Sequence, residues 1–112
     1  MALRESNRVR TGVIAAAATG QNLVLSVPAG QRAIILSYVI VAAGAVTAQW
    51  ESGTTDLSGV MALAANGGIS IAGSREDPVM KTVAPGDDLF LTLGAVFSVA
   101  GHFSYILVEA VS

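Results

Sequence analysis

The sequence predicts an all-β domain: a two-sheet antiparallel sandwich, jelly-roll-like, of about eight strands behind a short extended N-terminal arm. Three observations carry this expectation. Gly, Pro, Asn and Asp punctuate the chain every 8–14 residues. The pieces between them are rich in Val, Ile and Thr, 28 of the 112 residues, which suit a pleated, half-buried surface. No piece carries a long amphipathic helical repeat, and the uncapped tetra-alanine 15–18 would make only a marginal isolated turn. At 53% hydrophobic and 12% charged residues, the chain has ample apolar surface to offset ordering entropy. Its length fits one sandwich domain over residues 13–112, with residues 1–12 as the arm.

Taken in order, the first strand is expected at 22–27, where Leu23, Leu25 and Val27 alternate before the turn Pro28-Ala29-Gly30. Residues 31–42 follow as a nearly continuous apolar run, the pattern of a strand buried on both faces or lying at a subunit contact. Gly44 breaks the run, Val46, Ala48 and Trp50 alternate in a strand at 45–51, and the two segments read as a hairpin. A polar loop spans 51–56. Strands at 60–64 and 69–72 flank Asn66-Gly67, a dipeptide suited to a primed turn, and read as a second hairpin. A loop at 73–78 leads to a strand at 79–83, and Ala84-Pro85-Gly86-Asp87 suits a type II turn. Strands at 89–94 and 101–111 complete the set, and neither side of the last one is wholly polar.

Composition removes most chemistry. Without cysteine there is no disulfide, thiol nucleophile or sulfur metal site, and the single histidine leaves His-based zinc sites and Ser-His-Asp catalysis hard to assemble. His102 reads as a strand or interface histidine. Asp87 and Asp88 adjoin on a strand edge, where neighbouring side chains diverge, and Asp56 and Glu76-Asp77 lack calcium-loop spacing. No Gly-x-Ser-x-Gly elbow or phosphate-binding glycine loop is present. No enzyme activity, metal or cofactor is expected. Trp50, beside Gln49 and Glu51, reads as a core or interface anchor, and otherwise as the stacking platform of a carbohydrate-binding module.

Net charge is −2, divided between a basic arm and an acidic body. Arg4, Arg8 and Arg10 outnumber Glu5 in the first ten residues, and Leu3 and Val9 offer apolar anchors there. These five residues, Leu3, Arg4, Arg8, Val9 and Arg10, are the candidate contact arm. It is too short for a nucleic-acid groove, and the body adds only Arg32, Arg75 and Lys81. The apolar run at 33–43 is about half of the ~20 residues that a membrane-spanning helix needs, so neither nucleic acid nor membrane is expected as a partner.

The order Val41-Ala42-Ala43-Gly44-Ala45-Val46-Thr47, Ser52-Gly53-Thr54-Thr55-Asp56-Leu57-Ser58-Gly59 and Leu63-Ala64-Ala65-Asn66-Gly67-Gly68-Ile69 resembles small structural proteins of tailed bacteriophages. Lys81 to Leu89 and Val99 to Tyr105 extend the similarity, which spans residues 31–108 and departs at Pro78-Val79-Met80. Some members of that group are capsid decoration, or cement, proteins. The resemblance implies a homotrimer on the outer surface of the capsid, bound to the major capsid protein. A tail or baseplate component is the neighbouring assignment.

Overall fold

The computed structural model describes residues 8–109. Ten strands form two antiparallel sheets: β1 (Arg10–Ala16), β2 (Gly20–Leu25), β3 (Gln31–Ala42), β4 (Val46–Ser52), β5 (Thr55–Asp56), β6 (Met61–Leu63), β7 (Gly68–Ala72), β8 (Met80–Lys81), β9 (Leu89–Leu93) and β10 (Val99–Glu109). The front sheet has the order β1-β10-β3-β7, with β8 also on β3, and the back sheet β2-β9-β4-β5, with β6 also on β4. Counting β5 with β6 and β7 with β8 as broken strands leaves eight lanes, paired first with last, second with next to last, and so inward. This is a jelly roll, an antiparallel ribbon rolled into two facing sheets.

Two expected hairpins are overturned by this topology. β3 and β4 lie in opposite sheets, as do β6 and β7. The Ala43–Ala45 and Ala64–Gly67 links therefore cross the sandwich instead of joining paired neighbours. Asn66 does adopt a positive φ of 62°, and Gly67 N–H donates to Ala64 C=O at 2.9 Å. The turn chemistry was legible, whereas the destination of the strand after it was not. The local hairpin is instead β4–β5, where Ser52 pairs Thr55 across Gly53-Thr54 and Gly53 has φ 59°. The sequence predicts a polar loop over 51–56.

β1 also departs from expectation. Its pairing starts with Arg10 opposite Tyr105 and runs to Ala16 opposite Val99, so residues 10–12, assigned to the arm, belong to the sandwich. Alanine and glycine are poor strand formers, and this strand exists because β10 supplies its hydrogen-bond partner. Phe103 lies directly across from Gly12, and a Cβ on Gly12 would meet the ring at 2.5 Å. The glycine thus lets the ring lie over the backbone of the neighbouring strand.

The core sits between the sheets. Trp50 on β4 is fully buried and meets Tyr38 of β3 with ring centroids 5.1 Å apart at 60°. Tyr38 Oη also donates to Met61 Sδ at 3.9 Å. Small residues at Ala33, Ala42 and Ala48 admit the large ones, Phe103, Leu89, Leu91 and Ile40, in a single cluster. Side chains finish the ladders where strands end. Thr82 N–H donates to Ala33 C=O while its Oγ1 accepts from Ala33 N–H, both at 2.9 Å, extending β8 by one residue.

The expected type II turn is present, with Gly86 at φ 81° and Asp87 N–H donating to Ala84 C=O at 3.1 Å. It is pinned to β4 by buried Ser52, whose Oγ donates to Asp87 Oδ2 at 3.0 Å and accepts from Val83 N–H at 2.8 Å.

Gly101 faces Ile40 within the β3–β10 ladder, and a Cβ there would collide with the Val39 carbonyl oxygen. Gly101→Ala is expected to lose about 1–3 kcal/mol through forced backbone shifts. Ala100→Ser, on the exposed side of the same strand, is expected to stay within about 0.5 kcal/mol of wild type. Urea denaturation followed by circular dichroism measures both.

Candidate interaction surfaces

None of the twelve charged side chains among the described residues lies in the links at one end of the sandwich. Strand direction explains this. Ala16, Ala42 and Val99 share one row, and from that row β1 and β3 continue into the links at 17–19 and 43–45. The links at 64–67 and 94–98 reach the same end, since Leu63 pairs Val46, Gly68 pairs Val41, and Leu93 pairs Gly20. These four links contain Ala, Gly, Val, Phe, Thr, Ser and Asn and no charge. Val96 is 73% exposed, and Phe97, 48% exposed, lies over Gly44. An open depression lined by Ala45, Thr47, Ala62, Gly94 and Ala95 adjoins them.

The outer faces of the two sheets differ in kind. On the back sheet, Gln21 Nε2 donates to Glu51 Oε1 at 2.7 Å and to Gly53 C=O at 2.9 Å, and Thr92 Oγ1 donates to the same Glu51 oxygen at 2.8 Å. The Gln21 bond foremost, then that of Thr92, holds the Glu51 carboxyl below the ordinary carboxylate range; burial opposes this and Asp56 adds to it. Gln49 lies on the same face and donates to Ser58 C=O at 3.0 Å. This face carries Glu51 and Asp56 in one row, with Leu23, 58% exposed, in the same row across Phe90.

On the front sheet the outer rows are Val13-His102-Val39-Ser70, then Ala15-Ala100-Val41-Gly68 on one side and Thr11-Ser104-Ser37-Ala72 on the other. None of these side chains is a carboxylate, lysine or arginine. Val13 is 78% exposed and Val41 49%. The Ser37 and Ser104 hydroxyls share one hydrogen bond at 2.6 Å. Arg32 and Lys81 pair only in rows beyond, opposite Val108 and Ile34. Between those rows and the neutral ones, a bulge opposite Ser104/Tyr105 leaves Leu36 without a partner on β10.

The arm residues do not converge on a site. Leu3 and Arg4 lie outside the described residues. Arg8 is exposed, Val9 is 47% exposed, and Arg10 is the half-buried first residue of β1. Trp50 cannot stack on a sugar, because it is fully buried; the carbohydrate platform is thereby overturned. Asp87 and Asp88 diverge, the first to Ser52 and the second to Val27 N–H at 2.9 Å. Among the described residues no three His, Asp or Glu side chains group as metal ligands, and no helix is long and apolar enough to cross a membrane. The neutral face of the front sheet was only half visible in sequence. The two-sided apolarity of 31–42 and of the last strand was its signal, but which sides stay uncovered depends on the partner sheet.

No family profile and no curated protein matches the chain. Solved structures share its fold. A chain from the capsid structure of the Helicobacter pylori bacteriophage KHP30 superposes with a TM-score of 0.54 at 7% identity, over 93% of this chain and 94% of that one. A chain from Bacillus endospore appendages, described as disulfide-linked pili, gives 0.52 at 17% identity, over 96% and 90%. At these identities the likeness is one of fold.

Because the folded Glu51 has a lowered pKa, its contribution to stability is present above the unfolded value and lost as pH falls through the folded one. Glu51→Gln is therefore expected to be less stable than wild type at pH 7, with the gap closing from about pH 5 downward. Urea midpoints measured from pH 7 to pH 3 check this.

Proposed function

We propose that the chain is a structural protein of a bacteriophage virion, a capsid decoration (cement) protein that assembles as a homotrimer on the outer surface of the head and adds interface area across neighbouring copies of the major capsid protein. The observation that carries this reading is the segregation of charge. A jelly roll with an uncharged end and an uncharged sheet face, on which Val13, Val41 and Val96 stand exposed, offers surfaces that a repeating shell buries many times over. The resemblance over residues 31–108 and the shared fold with a chain of a phage capsid structure support the same assignment. Disulfide linkage of the kind described for the endospore pili is closed to a chain without cysteine.

The N-terminal segment has a part in this reading. Exposed ion pairs supply about 1 kcal/mol or less each, too little to hold a segment on a shell by themselves. Apolar contacts by Leu3 and Val9, or addition of the segment to a strand edge of the shell, must supply most of the attachment. Arg4 and Arg8 then add salt-sensitive pairing with shell carboxylates.

Quantitative peptide mass spectrometry of purified virions of the encoding phage is expected to find hundreds of copies per particle, retained on tailless heads. A few copies that follow the tail fraction would overturn the capsid assignment in favour of a tail or baseplate component. Deleting residues 2–8, which stops short of β1, is expected to leave the sandwich folded and weaken head binding at least tenfold in a sedimentation assay. Arg4→Ala with Arg8→Ala is expected to weaken it less and to reduce its salt dependence.

A further inference from the structure

We infer that Asn66 is a site of spontaneous covalent modification, at which the main-chain nitrogen of Gly67 attacks the side-chain amide. The products, aspartate and isoaspartate, place a carboxylate in the end of the sandwich whose links carry no charge. Asn66 is exposed, nothing among the described residues bonds its carboxamide, and the residue after it has no side chain. Nothing in this chemistry depends on the proposed virion role.

Asn22 and Asn66 differ in what restrains them. Asn22 is half-buried, and its Nδ2 donates to the carbonyls of Ala18 at 2.8 Å, Gly20 at 3.0 Å and Leu91 at 3.2 Å, while its Oδ1 accepts from Ala18 N–H at 3.2 Å. These bonds fix its carbonyl carbon, and the next nitrogen belongs to Leu23, whose side chain hinders approach. Asn66 has no such bonds and precedes Gly67, whose nitrogen has no Cβ beside it. One restraint opposes attack at Asn66. Gly67 N–H donates to Ala64 C=O at 2.9 Å, so the nitrogen is freed only when the 64–67 turn opens locally. Exposed links with few buried contacts are the segments that open most readily.

The reaction needs only water and solvent base. Solvent base takes the Gly67 amide proton and the nitrogen bonds to Asn66 Cγ. The Cγ–Nδ2 bond then breaks, and the nitrogen leaves as ammonia with a proton from water, closing a succinimide ring. Water opens that ring at either carbonyl. Cleavage between Gly67 N and Asn66 Cγ leaves aspartate on an unaltered main chain. Cleavage between that nitrogen and the main-chain carbonyl carbon of Asn66 leaves isoaspartate, with one extra carbon in the main chain. Asn66 N–H donates to Ala42 C=O and Ala42 N–H donates to Gly67 C=O, both at 2.8 Å, so the lengthened linkage lies between two anchors on one residue of β3. Gly68 leaves no slack beyond them, because a Cβ there would collide with the Ile40 carbonyl oxygen. Isoaspartate therefore loosens the start of β7, and either product adds a carboxylate to links that hold none.

Peptide mass spectrometry of the full-length chain, incubated at pH 8 and about 37 °C for several weeks, tests this, with circular dichroism confirming fold throughout. The expected result is amide-to-acid conversion at Asn66 and not at Asn22. It should run about tenfold slower than in the same chain unfolded in guanidinium chloride, where no bond restrains Gly67 N–H. Asn66→Gln, whose longer side chain must close a larger ring, is expected to show no conversion at position 66. Gly67→Ala is expected to convert roughly tenfold more slowly than wild type, because its Cβ hinders the attacking nitrogen. A folded wild type that keeps Asn66 intact while the unfolded sample converts would overturn the site. Conversion of Asn22 as fast as Asn66 would do the same, and that comparison decides if Gly67→Ala fails to fold. A folded Gly67→Ala that converts as fast as wild type would overturn the attack by the Gly67 nitrogen. The isoaspartyl fraction, separated chromatographically, is expected to unfold at lower urea concentration than the unconverted chain. An equal midpoint would overturn the loosening of β7 while leaving the modification site standing.

Discussion

The β3–β10 ladder is the constraint on which the rest of the structure depends. It runs from Ala42 opposite Val99 to Gln31 opposite Glu109, and every other lane of the front sheet is placed by it. β1 pairs only with β10, and β7 and β8 only with β3. The ladder also fixes which way the core residues of both strands point, so that Tyr38 meets Trp50 of the opposite sheet. Gly101 is the close-approach residue of this ladder. The bulge at Leu36 keeps the alternation usable along its length by absorbing one residue, so that Ile35 and Tyr38 both face inward although three residues apart.

A rolled ribbon pairs strands that are distant in sequence. Residue 10 meets residue 105, and residue 20 meets residue 93. Such closures cost loop entropy before any contact rewards it, and the local devices offset this by holding the links in place. The Ser52–Asp87 pair, the Thr82 extension of β8 and the turns at Gly30, Gly53 and Gly86 all serve the charged end. The neutral end is held by backbone bonds such as Ala43 N–H to Ser98 C=O at 2.9 Å and Asn66 N–H to Ala42 C=O at 2.8 Å, and by the Asn22 side chain, which accepts from Ala18 N–H at 3.2 Å and donates to Ala18 C=O at 2.8 Å. One end of the molecule is thus held by charged and hydroxyl side chains, and the other by backbone bonds, small residues and the neutral side chains of Asn22 and Phe97. That division leaves the second end free of charge and fit to be covered.

The outer faces of the two sheets follow the same division across the sandwich. Gln21, Thr92 and Glu51 satisfy one another on the back sheet in a network that water can reach. Ser37 and Ser104 share one hydrogen bond on the front, between Thr11 and Ala72 in their own row and beside His102 and Val39 in the next.

The sequence by itself determined the fold class, most of the strand segments and the turns at Gly30 and Gly86, because alternation and positive-φ residues are local signals. It also determined what the chain lacks in reactive chemistry and that the run 31–42 is apolar on both sides. Only the tertiary structure decided which strands pair. Asn66-Gly67 is a competent turn whether the next strand returns beside the last or crosses to the other sheet, and β1 is a strand only because β10 lies beside it. For the same reason the uncharged outer face of the front sheet was not legible. Val13, Val39 and His102 are separated by at least 26 positions, and they become neighbours through register across three strands, a relation between distant segments that no local pattern encodes.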